Sequence, residues 1–267
     1  MTTTLINNKY KIIEKLGAGC FGEIYKGENI RTQENVAIKV EPIANNLKLL
    51  KNESVIYQYL AGLQGVPIVK WFGKDDVNYY MVLNLLGNSL QTLLNSKKSF
   101  SLKLVLQIGL QIISILQSIH DKGLVHRDIK PDNFLLGNNE NNKKQIYIID
   151  FGFCKSIENI NNIKKTTGLI GSLTYASLNA HNYIELSFRD DLESLVYMLI
   201  YFYQGFLDWQ KIEDVKLIIQ MKQQAVDNGK IPIVLRDFLR SIRLLGFKEI
   251  PEYNSLISLL KREVEKI

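Results

Sequence analysis

At Gly87 the hydrophobic pattern of this chain changes period, and that change limits the fold more than any other feature of the sequence. Before it, Tyr10–Leu16, Ile24–Glu28, Val36–Val40, Ile68–Phe72 and Tyr79–Leu83 read as short strands, interrupted only by an apolar-periodic helix over Leu47–Leu60. After it, Ser89–Asn95 and Ser101–Asp121 read as helices. In the second, Leu102, Val105, Leu106, Gly109, Ile112, Ile113, Leu116 and Ile119 recur at spacings of three and four, and Gly123 is placed to end it. Leu124–Asp132, Phe134–Leu136 and Ile146–Ile149 predict short strands joined by turns, with Asn138–Asn142 an exposed loop tip. Helical spacing returns over Phe188–Tyr203, Glu213–Val226, Val234–Leu245 and Ser255–Lys266. The pattern is that of a small mixed lobe followed by a larger helical one.

Composition bounds the rest. With 267 residues, 46% hydrophobic and 22% charged, the chain can bury a core. A net charge of +6 favours anionic partners or is simply a basic solvated face. No run of clustered Lys and Arg with interleaved aromatics is present, so no dedicated nucleic-acid module is expected. Cys20 and Cys154 form no CxxC pair, which argues against a zinc site or a disulfide framework and for a reducing compartment. Met1–Lys11 lacks a signal-type leader, and the apolar stretch Leu192–Leu207 is broken by Glu193, Ser194 and Gln204, so it reads as a core helix and no membrane span is expected.

Four short motifs carry chemistry. Gly17-Ala18-Gly19-Cys20-Phe21-Gly22 is a GxGxxG; alone it could be a plain glycine-rich turn, but the alternating Glu23–Gly27 after it suits a phosphate-covering hairpin rather than a dinucleotide-binding helix. Val36-Ala37-Ile38-Lys39 buries a lysine in an apolar strand, where it either snorkels from an edge or needs a counter-charge; Glu53 can supply one. In His126-Arg127-Asp128-Ile129-Lys130-Pro131-Asp132-Asn133, Asp128 can accept the proton of an attacking hydroxyl. Lys130 can neutralise a transferred phosphoryl group, and Asn133 can ligate magnesium. His126 reads as a brace for the backbone, and His120 and His181 as structural. Asp150-Phe151-Gly152 follows an apolar strand and suits a second magnesium ligand.

Together these motifs, in this order, resemble the eukaryotic protein kinases. Within that group the chain is similar to the casein kinase I family. The likeness rests on Leu85-Leu86-Gly87-Asn88-Ser89-Leu90, the HRDIKPDNFLL of His126–Leu136, the QIYIIDFG of Gln145–Gly152 and the RDDLESL of Arg189–Leu195; Ser177-Leu178-Asn179 stands where that family has Ser-Ile-Asn. The resemblance covers about Tyr10 to Trp209. It implies a single α+β bilobal kinase domain, with a mainly β lobe of residues 1–87 and a mainly α lobe of residues 88–267 holding Mg-ATP in the cleft between them. It further implies ATP-dependent phosphorylation of protein Ser or Thr, with a nucleotide-binding pseudokinase scaffold as the alternative. Asp128, Lys130, Lys39 and Glu53 form the implied catalytic set, with Asn133 and Asp150 on Mg2+. ATP is expected against Leu16, Gly17, Gly19, Gly22, Ile24, Ala37, Lys39, Leu83 as gatekeeper, Asn84, Leu86 and Leu136. Asp191 is expected to brace the catalytic loop.

Two departures bear on substrate. Where the family has an arginine that helps to bind a priming phosphate, this chain has Thr174; Lys211, Lys216 or Lys222 could supply charge nearby. Arg127 and Lys155, with Lys164 and Lys165 in the same segment, either form a second anion pocket or simply solvate a loop; as a pocket, filled by acidic residues or a bound anion, they could order the activation segment without phosphorylation. The usual threonine position falls on Ser172, so Thr174 is left out of the active site. Cys20 reads as a small side chain where serine is common, and Cys154 is given no role. The resemblance implies a constitutively active monomer without a regulatory C-terminal tail, in the cytoplasm or nucleus. Its expected partners are proteins with acidic or phosphorylated segments, with no specific nucleic acid and no membrane.

Overall fold

In the computed structural model, residues 5–19, 22–45, 49–157 and 165–267 are described. They divide into two compact units. The first takes the residues up to Gly87 together with Leu135–Gly152; the second takes Asn88–Phe134 and the residues from Phe153 to Ile267. The α+β class read from the change of period is the class observed, with the sheet in the N-terminal unit and most helices in the other.

Five antiparallel strands, β1 (Tyr10–Gly19), β2 (Gly22–Asn29), β3 (Glu34–Pro42), β4 (Val69–Lys74) and β5 (Asn78–Asn84), form the sheet of the first unit in the order β1-β2-β3-β5-β4. Alternation decides which face each residue takes. Val36, Ile38 and Val40 join Tyr10, Tyr80 and Val82 in one core. The register sets Ile24 opposite Lys39 and Lys39 opposite Met81, with Ala37 opposite Leu83, so these residues share the other face. Helix α1 (Leu49–Tyr59) packs on β3, β4 and β5. No acidic residue stands in its first turn; Glu41 of β3 accepts from the amides of Leu49 and Leu50, supplying the negative charge a helix N-terminus favours. Leu135–Gly152 joins this unit through Ile148 N–H to the carbonyl of Gly65 and Gly87 N–H to that of Leu136.

In the second unit Ser89 and Ser101 cap α2 (Leu90–Lys97) and α3 (Leu102–His120). Helix α3 has a mean hydropathy of 1.6, enough in length and composition to cross a membrane, yet it packs on two other helices, α5 (Phe188–Gln204) and α8 (Tyr253–Lys266). Gly109 allows the close approach, since a Cβ there would meet Leu199 and Leu260 at 3.0 and 3.1 Å. Helix α5 is buried along most of its length, Glu193 and Ser194 included, as a core helix should be, and stops at Gly205 in the left-handed region. Helices α6 (Val215–Gln224) and α7 (Ile233–Arg243) complete the bundle, and a short α4 (Leu178–His181) was not expected from the sequence. The strand expected over Leu124–Asp132 is cut to β6 (Leu124–Val125), which pairs with Lys155–Ser156. Beyond Val125 the backbone amides turn to a buried carboxylate instead of a neighbouring strand.

Candidate active site

Lys39 lies on an interior strand, so it cannot snorkel from an edge. Its Nζ donates to Glu53 Oε2 at 2.6 Å and to Asp150 Oδ1 at 3.1 Å. Burial alone would lower the Lys39 pKa, but the two carboxylates outweigh it and the pKa is raised, so the ammonium stays charged. Helix α1 thus holds the lysine through Glu53. Asp150 is fixed in turn: its amide donates to Tyr57 Oη at 3.3 Å, and Phe151 meets the Tyr57 ring edge-on at 4.8 Å. Its backbone has φ 67°, a left-handed conformation that aspartate tolerates better than most residues.

The residues expected to hold a nucleotide all fall in this unit. Ile24, Ala37 and Leu83 share the Lys39 face, and Gly17 pairs with Ile24 across the first hairpin. Leu16 is exposed and Leu86 buried. Asn84 is partly spent within the sheet, its Oδ1 accepting from the Ile68 amide at 2.8 Å. Leu136 accepts from the amide of Gly87, and Gly19 pairs with Gly22 at the hairpin end. The glycines of the loop differ in reason. At Gly22, φ is +133° and a Cβ would lie 2.0 Å from the carbonyl oxygen of Val40, so the fold itself requires glycine. At Gly17 a Cβ meets nothing within 4 Å, and no packing within the protein demands its absence. Cys20 and Phe21 lie outside the described residues.

In the second unit Asp191, in the first turn of α5, organises the loop. Its carboxylate accepts from the amides of His126 at 2.7 Å and Arg127 at 2.8 Å, and its Oδ2 lies 3.0 Å from His120 Nε2. His120 reaches Tyr253 Oη with its other nitrogen and stacks on Phe188, which ties α8 to the loop. Burial opposes the Asp191 charge, but these donors hold its pKa below the usual carboxylate value. His126 accepts from the Asp128 amide, a bracing geometry. Lys130 Nζ donates to Asp128 Oδ2 at 2.6 Å. Asn133 Nδ2 gives one hydrogen to the Asp128 carbonyl at 2.8 Å and one to Oδ2 at 3.1 Å. With both amide hydrogens committed, Asn133 Oδ1 remains an acceptor. That oxygen is a hard donor of the kind magnesium takes, as is, in the first unit, the Asp150 carboxylate. Among the described residues no cluster of three or more His, Cys, Asp or Glu could hold a metal by itself.

The anion pocket expected at Arg127 and Lys155 is filled by the chain's own Glu185. Lys155 Nζ donates to Glu185 Oε2 at 2.9 Å, and an Arg127 guanidinium nitrogen lies 3.7 Å from Oε1. Burial lowers the Arg127 pKa and Glu185 opposes that shift. Sequence spacing gives no hint of Glu185. Lys165 is exposed and Lys164 lies outside the described residues. Burial pushes the Cys154 thiol up to about 12, so it is no nucleophile at neutral pH. Lys222, named above as a source of charge for substrate, is fully buried and turned inward; Lys211 and Lys216 are exposed. Ser177 and Asn179 both donate to Asp190 Oδ1, at 2.7 and 2.9 Å, which anchors the Ser-Leu-Asn segment to α5.

A lysine held charged by a helix glutamate, a loop that gathers donors around one aspartate, and an aspartate at a strand end are the parts needed to place ATP phosphates and a protein hydroxyl. The model of the protein kinase domain family matches residues 10–247. That match spans most of the chain, so the protein belongs to the protein kinase family, whose chemistry is transfer of phosphate from ATP to proteins.

Proposed function

We propose that the protein is a serine/threonine kinase of casein kinase I type that phosphorylates acidic protein segments. The arrangement around Asp128 carries this reading: a buried carboxylate receives Lys130 and Asn133, so its position for an acceptor hydroxyl is fixed before substrate arrives. Lys130 screens the moving phosphoryl group, Lys39 holds the ATP phosphates, and Glu53 holds Lys39. Asp150 would offer a carboxylate oxygen to magnesium, and Asn133, in the other unit, an amide oxygen; magnesium, when bound, would neutralise phosphate charge. Acidic sites are favoured over phospho-primed ones, because Thr174 carries no charge and Lys222 faces inward, leaving exposed Lys211 and Lys216 to attract carboxylates.

Phosphate transfer from Mg-ATP to matched Ser, Thr and Tyr peptides, acidic or primed, with Asp128→Ala as control, tests the proposal. Transfer to Ser and Thr in acidic peptides, lost in the control, is expected. Transfer to Tyr alone would overturn the Ser/Thr assignment. ATP binding without transfer above the control would make the protein a nucleotide-binding scaffold.

A further inference from the structure

Lys222 is a buried cation with no carboxylate among its hydrogen-bond partners in the described residues, and the functions assigned above leave it unused. Its relative exposure is 0%, and its ammonium lies over the rings of Tyr197 at 4.9 Å and Trp209 at 5.7 Å. Three acceptors surround it: the carbonyl of Leu173 at 3.2 Å, the carbonyl of Ala176 at 2.7 Å and His181 Nε2 at 2.9 Å. An ammonium has three hydrogens and no lone pair, so donors and acceptors match in number. For His181 to accept at Nε2, its proton must sit on Nδ1. Burial and the neighbouring Lys222 charge push its pKa down to about 4, so it stays neutral.

What Lys222 grips is the run of chain beside Asp128. Gly171 lies against the loop so closely that a Cβ would stand 2.6 Å from the Arg127 carbonyl oxygen and 3.7 Å from Asp128 Oδ1. From there the chain turns at Ser172, whose carbonyl accepts from the amides of Tyr175 and Ala176. Trp209 Nε1 then donates to the Thr174 carbonyl at 2.8 Å. The carbonyls of residues 173, 174 and 176 are thus all held by side chains of α6 and of the segment before it. These hydrogen bonds fix the orientation of the backbone run that begins against Asp128.

We propose that Lys222 is a positioning residue for the acceptor peptide, acting through the backbone of residues 173–176 and without touching substrate. The proposal rests on the reading that the acceptor hydroxyl is served by Asp128. Its mechanism is a count of hydrogens. A neutral amine has two for three acceptors and turns a lone pair toward one of them, so the clamp loosens when Lys222 loses its proton. Burial, opposed by Glu193 of α5 and assisted by Arg243 of α7, brings the Lys222 pKa down to about 7. The other polar groups facing it are His181 of α4 and the Tyr197 phenol, which donates to Glu193 and accepts from Arg243.

The test is steady-state kinetics of the full chain and of Lys222→Met and Lys222→Arg, with an unphosphorylated acidic Ser peptide, from pH 6 to 8.5. For Lys222→Met the peptide KM is expected to rise about tenfold, the loss of a charge-assisted hydrogen bond, with the KM for ATP unchanged. Arginine keeps the charge but cannot direct three hydrogens to three separate acceptors, so a smaller rise is expected. In the unsubstituted protein the peptide KM rises with pH through about 7, and in Lys222→Met this component is absent. An unchanged peptide KM in either folded variant, or parallel loss in the KM for ATP and the peptide KM, overturns the proposal. If Lys222→Met does not fold, Lys222→Arg and the pH profile of the unsubstituted protein decide. No transfer by the unsubstituted protein would instead remove the kinase reading on which the proposal stands.

Discussion

Glu185 accepts a hydrogen bond from Lys155 at 2.9 Å and keeps its other carboxylate oxygen toward Arg127, the residue that precedes Asp128 in the chain. Arg127 is itself in a left-handed conformation, φ 68°, and its Nε donates to the Phe153 carbonyl at 2.6 Å. An internal carboxylate therefore supplies negative charge to the mostly buried arginine within the loop from His126 to Asn133.

Phosphatase treatment is accordingly expected to leave the rate of transfer unchanged, whereas Glu185→Gln exposes the deficit. With Arg127 mostly buried and Lys155 partly solvated, the substitution should cost about 2 kcal/mol in urea unfolding, below the value for a fully buried pair. An unaltered midpoint would show that Glu185 is not the counter-charge.

Removing the Lys39 ammonium should separate fold from chemistry. Lys39→Met leaves Glu53 buried without its cation, and kcat should fall by about a hundredfold or more while the unfolding transition stays cooperative. Asp128→Asn should lower kcat by a similar or larger factor, about 10²–10⁴, with the KM for ATP nearly constant. Retained kcat in either variant contradicts the assigned roles.

Gly171 combines φ +86° with a 2.6 Å approach to the Arg127 carbonyl, so Gly171→Ala is strained twice over. A loss of about 1–3 kcal/mol in stability is expected. Peptide phosphorylation should weaken with it, while ATP binding, monitored by fluorescence or calorimetry, is expected to persist. Full activity in the variant would mean that the run of residues 171–176 readjusts freely.

Lys222 also makes stability depend on pH in a defined direction. The unfolded chain keeps this proton up to about 10.5, whereas the folded one releases it near 7, so between those values the unfolded state binds more protons. Stability contributed by this residue therefore rises with pH across that window and is lowest below 7. Urea midpoints of the unsubstituted protein, measured relative to Lys222→Met from pH 6.5 to 9.5, should diverge in favour of the unsubstituted protein as pH increases. Parallel curves would place the Lys222 pKa outside the window.

The sequence by itself named the groups proposed to do the chemistry. The GxGxxG hairpin, Lys39, the loop from His126 to Asn133 and Asp150-Phe151-Gly152 are each written in a few consecutive residues, and local spacing is enough to read them. The period change at Gly87 likewise gave the α+β class, since side-chain alternation in strands and 3.6-residue spacing in helices are local properties. Tertiary structure decided the partners. Glu185 filling the site of Arg127 and Lys155, Glu41 beginning α1, and Lys222 turned inward to three acceptors all join residues far apart in sequence or depend on which way a side chain faces. The same holds for the run from His126, which reads as strand until Asp191, more than sixty residues later, takes the amides of His126 and Arg127. Charge and hydrogen-bond satisfaction are properties of neighbourhoods in space, and only the folded chain sets which groups share one.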